Sequence, residues 1–158
     1  MKTVFPFPTC PVKQRSYLMP MKKKYSVLFW TAGIILPLIA GLTIYIIFRP
    51  DTFIAEYFYE LTGYKSEGVK PNNPFYDFIK FHLCDMLWAF SFTFVCVLIM
   101  GTEKQHMLMS LGVCLAFEAL IELLQKTYLM PGSFDIWDMV LEFFATIIAM
   151  MLINVWRK

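Results

Sequence analysis

Four long apolar runs constrain this chain more than any other feature of its sequence. Each run holds roughly twenty residues, the length that an α-helix needs to cross about 30 Å of hydrocarbon. Because lipid offers the backbone no hydrogen-bond partners, such a segment must be helical. The runs cover residues 26–48, 81–100, 107–124 and 136–156. The sequence therefore predicts an all-α protein built as a four-transmembrane-helix bundle.

The composition excludes the other common classes of protein. Residues of the AVILMFWYC set make up 58% of the 158 positions and charged residues only 16%, whereas soluble domains carry about 25% charge. Too little polar sequence remains to cover four apolar helices in water. An aromatic content of 18% also argues against disorder, collagen and coiled coil. We therefore expect a lipid bilayer as the solvent.

The segment before the first run has a different character. Residues 1–24 contain four prolines and no sustained apolar period, which predicts a disordered basic N-terminal arm. The membrane domain then covers residues 25–158. Met21 precedes Lys22, Lys23 and Lys24 and is a possible true start, which an intact mass of natively expressed protein would test.

The connection after the first run contains one further helical pattern. A helix start at Asp51 and Thr52 and a stop at Gly63 enclose apolar residues at helical spacing. These are Phe53, Ile54, Tyr57, Phe58 and Leu61. Because Glu56 and Glu60 lie on the other side, the pattern predicts a short amphipathic interfacial helix in the first external loop.

Basic residues predict the orientation in the membrane. The cluster Lys22 to Lys24 abuts the first run, and an even number of spans brings both termini to its side. Nine of the fourteen Lys and Arg residues then lie on that side, but only Glu103 of the twelve acidic residues. We expect a multi-pass protein of the cell membrane with cytoplasmic N- and C-termini. If Met21 is the start, six Lys and Arg residues lie on the side of the termini and five on the other side. The predicted orientation therefore depends on the cluster Lys22 to Lys24.

Several partners are not indicated by the sequence. A net charge of +2 without a basic patch predicts no nucleic-acid partner. The cysteines, at positions 10, 84, 96 and 114, lack CxxC spacing and predict neither a disulfide framework nor a metal cluster. His82, three residues before Asp85, is interpreted as a solvated interfacial histidine rather than half of a metal site. We therefore expect no metal and no cofactor.

Acidic residues within the runs are the candidates for function. Glu118, Glu122 and Gln125 share one helix face at i, i+4 and i+7. Asp138 and Glu142 lie at i, i+4 in the outer half of the fourth run, and Asp85 begins the second run from the same side. The predicted polar cluster comprises Asp85, Glu118, Glu122, Gln125, Asp135, Asp138 and Glu142. No residue of this set is assigned as catalytic.

Both functional and structural interpretations of this cluster stay open. A charged carboxylate at the bilayer centre costs about 2.5 to 3.5 kcal/mol, so we expect at least one of Glu118, Glu122 and Glu142 to be protonated at neutral pH. A cation or a proton is then the expected partner. Alternatively, these side chains form hydrogen bonds that hold helices together. For Asp135, capping of the fourth helix in a capping-box-like pair with Asp138 is favoured over chemistry.

The segment Glu122-Leu123-Leu124-Gln125, followed by Phe134-Asp135-Ile136-Trp137-Asp138, resembles the hallmark of the VanZ-like family. Asp85-Met86-Leu87-Trp88 is similar to a stretch near the start of that family's second helix. The resemblance covers about residues 25–156. It implies a small bacterial membrane protein linked to low-level resistance to teicoplanin-type glycopeptides. The family's turn arginine is absent here, and Glu142 and Ala145 replace its later Asn and Gly.

Three functions are compatible with these features. The first is a non-enzymatic envelope protein whose outward-facing acidic pocket binds part of a cell-wall lipid, peptide or glycopeptide. The second is a membrane enzyme acting on lipid-linked cell-wall material, with carboxylates as acid and base or as ligands of a hard cation. The third is a component of a proton-coupled transporter, for which membrane acids are suitable relays. The sequence favours a protein that is not an enzyme and does not fix its oligomeric state.

Overall fold

The computed structural model describes residues 23–49, 52–64, 73–127, 129 and 134–157. Their regular structure is entirely helical, and four helices are long and apolar enough to cross a membrane. The predicted all-α bundle of four spans is therefore confirmed. The N-terminal arm up to residue 22, with the suspected start at Met21, lies outside the described residues.

The helices follow the apolar runs, and the first three spans extend beyond them. They are α1 (Lys23–Phe48), α2 (Phe53–Thr62), α3 (Pro74–Phe78), α4 (Cys84–Met100), α5 (Lys104–Lys126) and α6 (Ile136–Trp156). A π-helical segment, Ile79–Leu83, joins α3 to α4, so the second span begins at Pro74. Asn73 explains this early start, because its side-chain oxygen accepts a hydrogen bond from the Phe75 N–H at 3.1 Å. Proline at the first helical position also favours it.

Helix α4 is the centre of the bundle and packs against α1, α5 and α6. The start of α1 and the end of α6 lie at the same end of the molecule, where the rings of Phe29 and Trp156 stack with centroids 4.4 Å apart. At this end Arg157 also donates a hydrogen bond to the Thr102 carbonyl at 2.5 Å. Both described termini therefore share one end of the bundle, as an even number of spans requires.

An apolar core fills this end, which we call the terminal half. It consists of Trp30, Phe94, Val97, Met107, Ala149, Met150 and Ile153. Gly33 lies directly against the ring of Phe94, in a place where any Cβ would collide with that ring. Helices in lipid associate through close packing rather than hydrophobic burial, so small residues at such contacts stabilise the bundle.

The short helix in the first connection is confirmed. Helix α2 ends where Gly63 adopts a left-handed conformation (φ 72°) and its N–H donates to the Tyr59 carbonyl at 2.7 Å. At the other end the Thr52 hydroxyl donates to the Arg49 carbonyl at 2.8 Å, which ties α2 to the end of α1. Helix α2 packs on α1 with Ala55 buried. Its position at a membrane surface stays a prediction.

Candidate functional site

A cavity of about 620 Å³ occupies the end of the bundle opposite the termini, which we call the cavity half. Its walls come from α1, α2, the second span, α5 and α6. Ligand-binding cavities are typically of this size. Its lining includes Leu38, Leu42, Arg49, Ile54, Asp85, Trp88, Glu118, Glu122, Gln125, Asp138 and Glu142.

The cavity brings together six of the seven residues predicted as a polar cluster. Asp85 reaches it from the second span, while Glu118, Glu122 and Gln125 line it from α5. Asp138 and Glu142 line it from α6, leaving only Asp135 outside the lining. Three of the acids are almost fully enclosed, with Glu118 2%, Glu122 3% and Glu142 8% exposed. The helical spacing in the sequence therefore identified side chains that do share one space.

Glu118 bridges α5 and α6 through one of its two carboxyl oxygens. The Thr146 hydroxyl donates to Glu118 Oε1 at 2.5 Å, and Thr93 lies 3.1 Å from the same hydroxyl. The Thr93 hydroxyl itself donates to the Ala89 carbonyl at 2.8 Å, so the three side chains form a buried chain of hydrogen bonds. Within the described part of the chain, Glu118 Oε2 is buried without a hydrogen-bond partner. Glu118 thus holds α5 to α6 through one oxygen, and the other oxygen is left as a buried acceptor.

Asp135 caps the last span, as the sequence favoured. Its Oδ1 accepts a hydrogen bond from the Trp137 N–H at 2.9 Å. The predicted capping-box partner was wrong, because the Asp135 N–H donates to Glu122 Oε2 at 3.3 Å instead of to Asp138. Glu122 therefore links the end of α5 to the start of α6.

Asp138 does not cap the helix; its side chain pairs with His82 instead. His82 Nδ1 lies within hydrogen-bond distance of Asp138 Oδ1, and both side chains are largely buried. The interpretation of His82 as a solvated residue was therefore wrong. The two positions are 56 residues apart, so local spacing gave no signal for the pair. His82 lies in the π-helical segment, an irregularity that is frequent at functional sites.

Three side chains at this edge of the cavity are of kinds that bind metals. One donor atom from each of His82, Asp135 and Asp138 lies within 4.8 Å of the other two. The sequence predicted no metal site, because His82 is distant along the chain from both Asp135 and Asp138. Among the described residues this is the one group of three such side chains at that spacing.

Arg49 is a cavity residue that the sequence analysis missed. Its guanidinium donates to the carbonyls of Lys80 and Phe81, at 2.8 and 3.3 Å, and to the Tyr45 hydroxyl at 3.1 Å. These bonds fasten the end of α1 to the π-helical segment. Lying just past the first apolar run, Arg49 looked like a loop residue. The sequence does place Arg49 at the same end of the bundle as the acids, and this position could have identified it as a cavity residue.

Comparison with known proteins gives no family assignment. No protein-family model, no curated protein and no solved structure matches the chain. The VanZ-like resemblance therefore stays a prediction.

Proposed function

We propose that the protein binds an amphiphilic molecule inside the membrane and holds its amine-bearing headgroup in the cavity. The observation that carries the proposal is a cavity with acidic and apolar walls in a chain with four helices able to cross a membrane. Asp85, Glu118, Glu122, Asp138 and Glu142 form the acidic wall. Leu38, Leu42, Ile54 and Trp88 form the apolar wall.

The charges favour a cationic headgroup. Among the described residues, five carboxyl groups line the cavity, whereas Arg49 is the one lining residue with a permanent positive charge. Glu118 Oε2 and Glu142 Oε2 are buried acceptors that receive no hydrogen bond from any described residue. Buried polar groups without partners are costly, and an ammonium group supplies three donors. Arg49 can pair with an anionic group on the same ligand, so a zwitterionic headgroup also fits.

The apolar wall accounts for the amphiphilic part of the proposal. Leu38 and Leu42 belong to α1, and Ile54 belongs to α2, so these residues place apolar surface opposite the acids. A ligand that keeps its chain against this wall and its headgroup at the acids satisfies both sides.

Binding of soluble short-chain lipids tests the proposal. With the protein in lipid nanodiscs, dihexanoyl phosphatidylethanolamine should bind at least about tenfold more tightly than dihexanoyl phosphatidylglycerol, about 1.4 kcal/mol. Glu142→Gln should reduce this preference, because an amide cannot ionise to pair with an ammonium group. Glu103→Gln is the matched control, since Glu103 is an exposed acid at the opposite end. Equal binding of both lipids by the native protein would refute the proposal.

The resemblance to the VanZ-like family extends this proposal to a physiological role. In that role the protein belongs to the bacterial cell envelope, its termini are cytoplasmic and its cavity faces outward. The ligand is then a cell-wall lipid, peptide or glycopeptide, and binding lowers susceptibility to teicoplanin-type antibiotics. The basic cluster Lys22 to Lys24 supports the orientation.

Expression in a glycopeptide-susceptible bacterium tests this role. The native chain should raise the minimal inhibitory concentration of teicoplanin. Glu122→Gln combined with Asp138→Asn should abolish that increase at unchanged membrane expression, whereas Glu103→Gln should retain it. A double variant that protects as well as the native chain would contradict the role.

A second candidate function is a membrane enzyme acting on lipid-linked cell-wall material. The pair of His82 and Asp138 favours it, because a carboxylate-oriented imidazole at a cavity is a common general acid or base. Turnover of such a substrate should then be lost in His82→Gln and kept in His106→Gln. If the protein binds the headgroup but turns over no substrate, the enzyme is excluded and the binding function stands.

A further inference from the structure

The edge of the cavity carries a set of donor atoms suited to a metal ion. His82 comes from the π-helical segment, Asp135 is the N-cap of α6, and Asp138 lies in the first turn of α6. One donor atom of each lies within 4.8 Å of the other two. Ligands about 2.0 to 2.2 Å from one zinc ion in tetrahedral geometry are separated by about 3.5 Å. The donor atoms are therefore within about 1.3 Å of that spacing, and an ion would replace the direct contact between His82 and Asp138.

The donor types indicate the class of metal. One imidazole nitrogen with two carboxylate oxygens suits Zn²⁺, Mn²⁺, Fe²⁺ or Co²⁺ better than Mg²⁺ or Ca²⁺, which prefer oxygen alone. None of the three side chains is fully buried, and Asp138 lines the cavity. A bound ion would therefore keep a coordination position toward the cavity. Three protein ligands with an open position are typical of catalytic rather than structural zinc sites.

An independent observation points to a cation in the same cavity. Glu142 lies one helical turn further along α6 from Asp138, on the same face. It is 8% exposed and lines the cavity, yet its Oε2 has no hydrogen-bond partner among the described residues. An acidic group in this position gains from a positive charge nearby. A buried carboxyl oxygen that lacks a partner therefore lies in the same cavity as the trio.

We propose that His82, Asp135 and Asp138 bind a divalent transition-metal ion at the edge of the cavity, with an open coordination position facing its interior. Glu122 supports the site as an outer partner, because its Oε2 accepts the hydrogen bond from the Asp135 N–H and fixes the backbone of that ligand. Such outer partners orient metal ligands. The ion places a Lewis acid beside the headgroup space, where it can bind a phosphate or carboxylate oxygen.

Titration with Co²⁺ tests the site directly. Purified protein treated with chelator and dialysed should bind about one equivalent of Co²⁺ and develop visible absorption bands of nitrogen and oxygen coordination. His82→Gln and Asp138→Asn should each weaken binding by about 100-fold or more, since outer partners alone are worth about 10- to 100-fold. Glu122→Gln should weaken it by about tenfold.

The chain provides a matched control. His106 is the other histidine of the chain and lies at the opposite end of the bundle. Its Nε2 is 3.8 Å from Glu103 Oε2, and its side chain is 43% exposed. His106→Gln should bind Co²⁺ as the native chain does. Circular dichroism and size-exclusion chromatography identify a misfolded variant, and the native titration decides the question without any variant. Less than about 0.2 equivalents bound, or equal loss in His82→Gln and His106→Gln, would overturn the proposal.

The site and the headgroup proposal fail independently. Lipid binding is measured with chelator present and depends on Glu142, whereas Co²⁺ binding is measured without the short-chain lipids and depends on His82. Loss of Co²⁺ binding with intact lipid selectivity would remove the metal site alone. Stoichiometric Co²⁺ binding without lipid selectivity would remove the headgroup proposal alone.

Discussion

The two halves of the bundle are built from the same helices and differ in what fills the space between them. In the terminal half, Trp30, Phe94 and Ile153 close the interior with apolar side chains. In the cavity half, the second span, α5 and α6 turn acids inward, and a space of about 620 Å³ remains. Packing that stabilises the fold is thus concentrated at one end, while the groups capable of binding lie at the other.

The difference begins with how α1 meets α4. In the terminal half Gly33 allows the ring of Phe94 to approach the α1 backbone. One helical turn closer to the start of α4, the Ser91 hydroxyl donates to the Ile34 carbonyl of α1 at 3.0 Å. Beyond Pro37, α1 contributes cavity wall instead. The closely packed terminal half holds the helices together and therefore allows the cavity half to stay incompletely filled. Such a division is common where stability and function compete.

Phe94→Ala should have the largest effect, because it opens a void in the closed half. Phe94 is 1% exposed and contacts the rings of Phe29, Trp30 and Phe90. We expect a loss of about 3 to 5 kcal/mol in the free energy of unfolding, measured by titration into SDS micelles. Phe144→Ala on the exposed side of α6 should cost far less. Equal losses would show that the terminal half is not specifically packed.

Gly33→Ala should be the next most damaging change, because it forces the Phe94 ring away from α1. Overpacking of this kind costs about 1 to 3 kcal/mol. The control is Gly112→Ala, where an added Cβ meets nothing within 4 Å. Thermal unfolding in detergent should show a lower midpoint for the first variant and an unchanged or higher midpoint for the second. Two unchanged midpoints would contradict the close approach.

Thr146→Val addresses the cavity half and should cost about 1 to 3 kcal/mol, because it leaves both oxygens of Glu118 without a donor. Adding Glu118→Leu should recover part of this loss, since the unsatisfied acceptors are then removed. Unfolding in SDS measures both variants, with Thr43→Val at an exposed α1 position as the control. A double variant less stable than Thr146→Val would contradict this role of the hydroxyl.

Glu142→Gln should produce the smallest change and the opposite sign. The amide carries no charge and brings an N–H₂ group that can donate to neighbouring carboxylates, so we expect a gain of about 0.5 to 1.5 kcal/mol. The same substitution should weaken binding of the amine-bearing lipid. A destabilised Glu142→Gln would mean that this carboxyl is satisfied in the fold, which would undermine the distinction between the two halves.

Most of the fold could be predicted from the sequence. The apolar runs located all four spans, and the fourth matched α6 at both ends. The pattern ending at Gly63 located α2. The second span was predicted too short, because Asp77 and Lys80 interrupt the apolar pattern before residue 81, although Asn73 and Pro74 start a helix there. Polar residues at the end of a span are compatible with a helix that continues beyond the hydrocarbon.

The site was predicted in part. Helical spacing placed Glu118 and Glu122 on one face and Asp138 and Glu142 on another, and these faces meet at the cavity. The pairing of His82 with Asp138 and the contribution of Arg49 were not foreseen. Thr146 was also missed, although it continues the i, i+4 series from Asp138 and Glu142 along α6. Contacts between helices depend on how each helix is rotated about its axis, which the pattern of one helix does not specify.

The sequence by itself determined that the chain forms membrane-spanning helices, because hydrocarbon requires every backbone polar group to be bonded within its own helix. It also determined which acids share a face, because helical periodicity is a local property. Only the tertiary structure decided which faces meet, where the void lies and which partner each carboxyl receives. Those outcomes depend on the fit of side chains such as Phe94 against Gly33, and close packing between helices depends on the positions of all of them together.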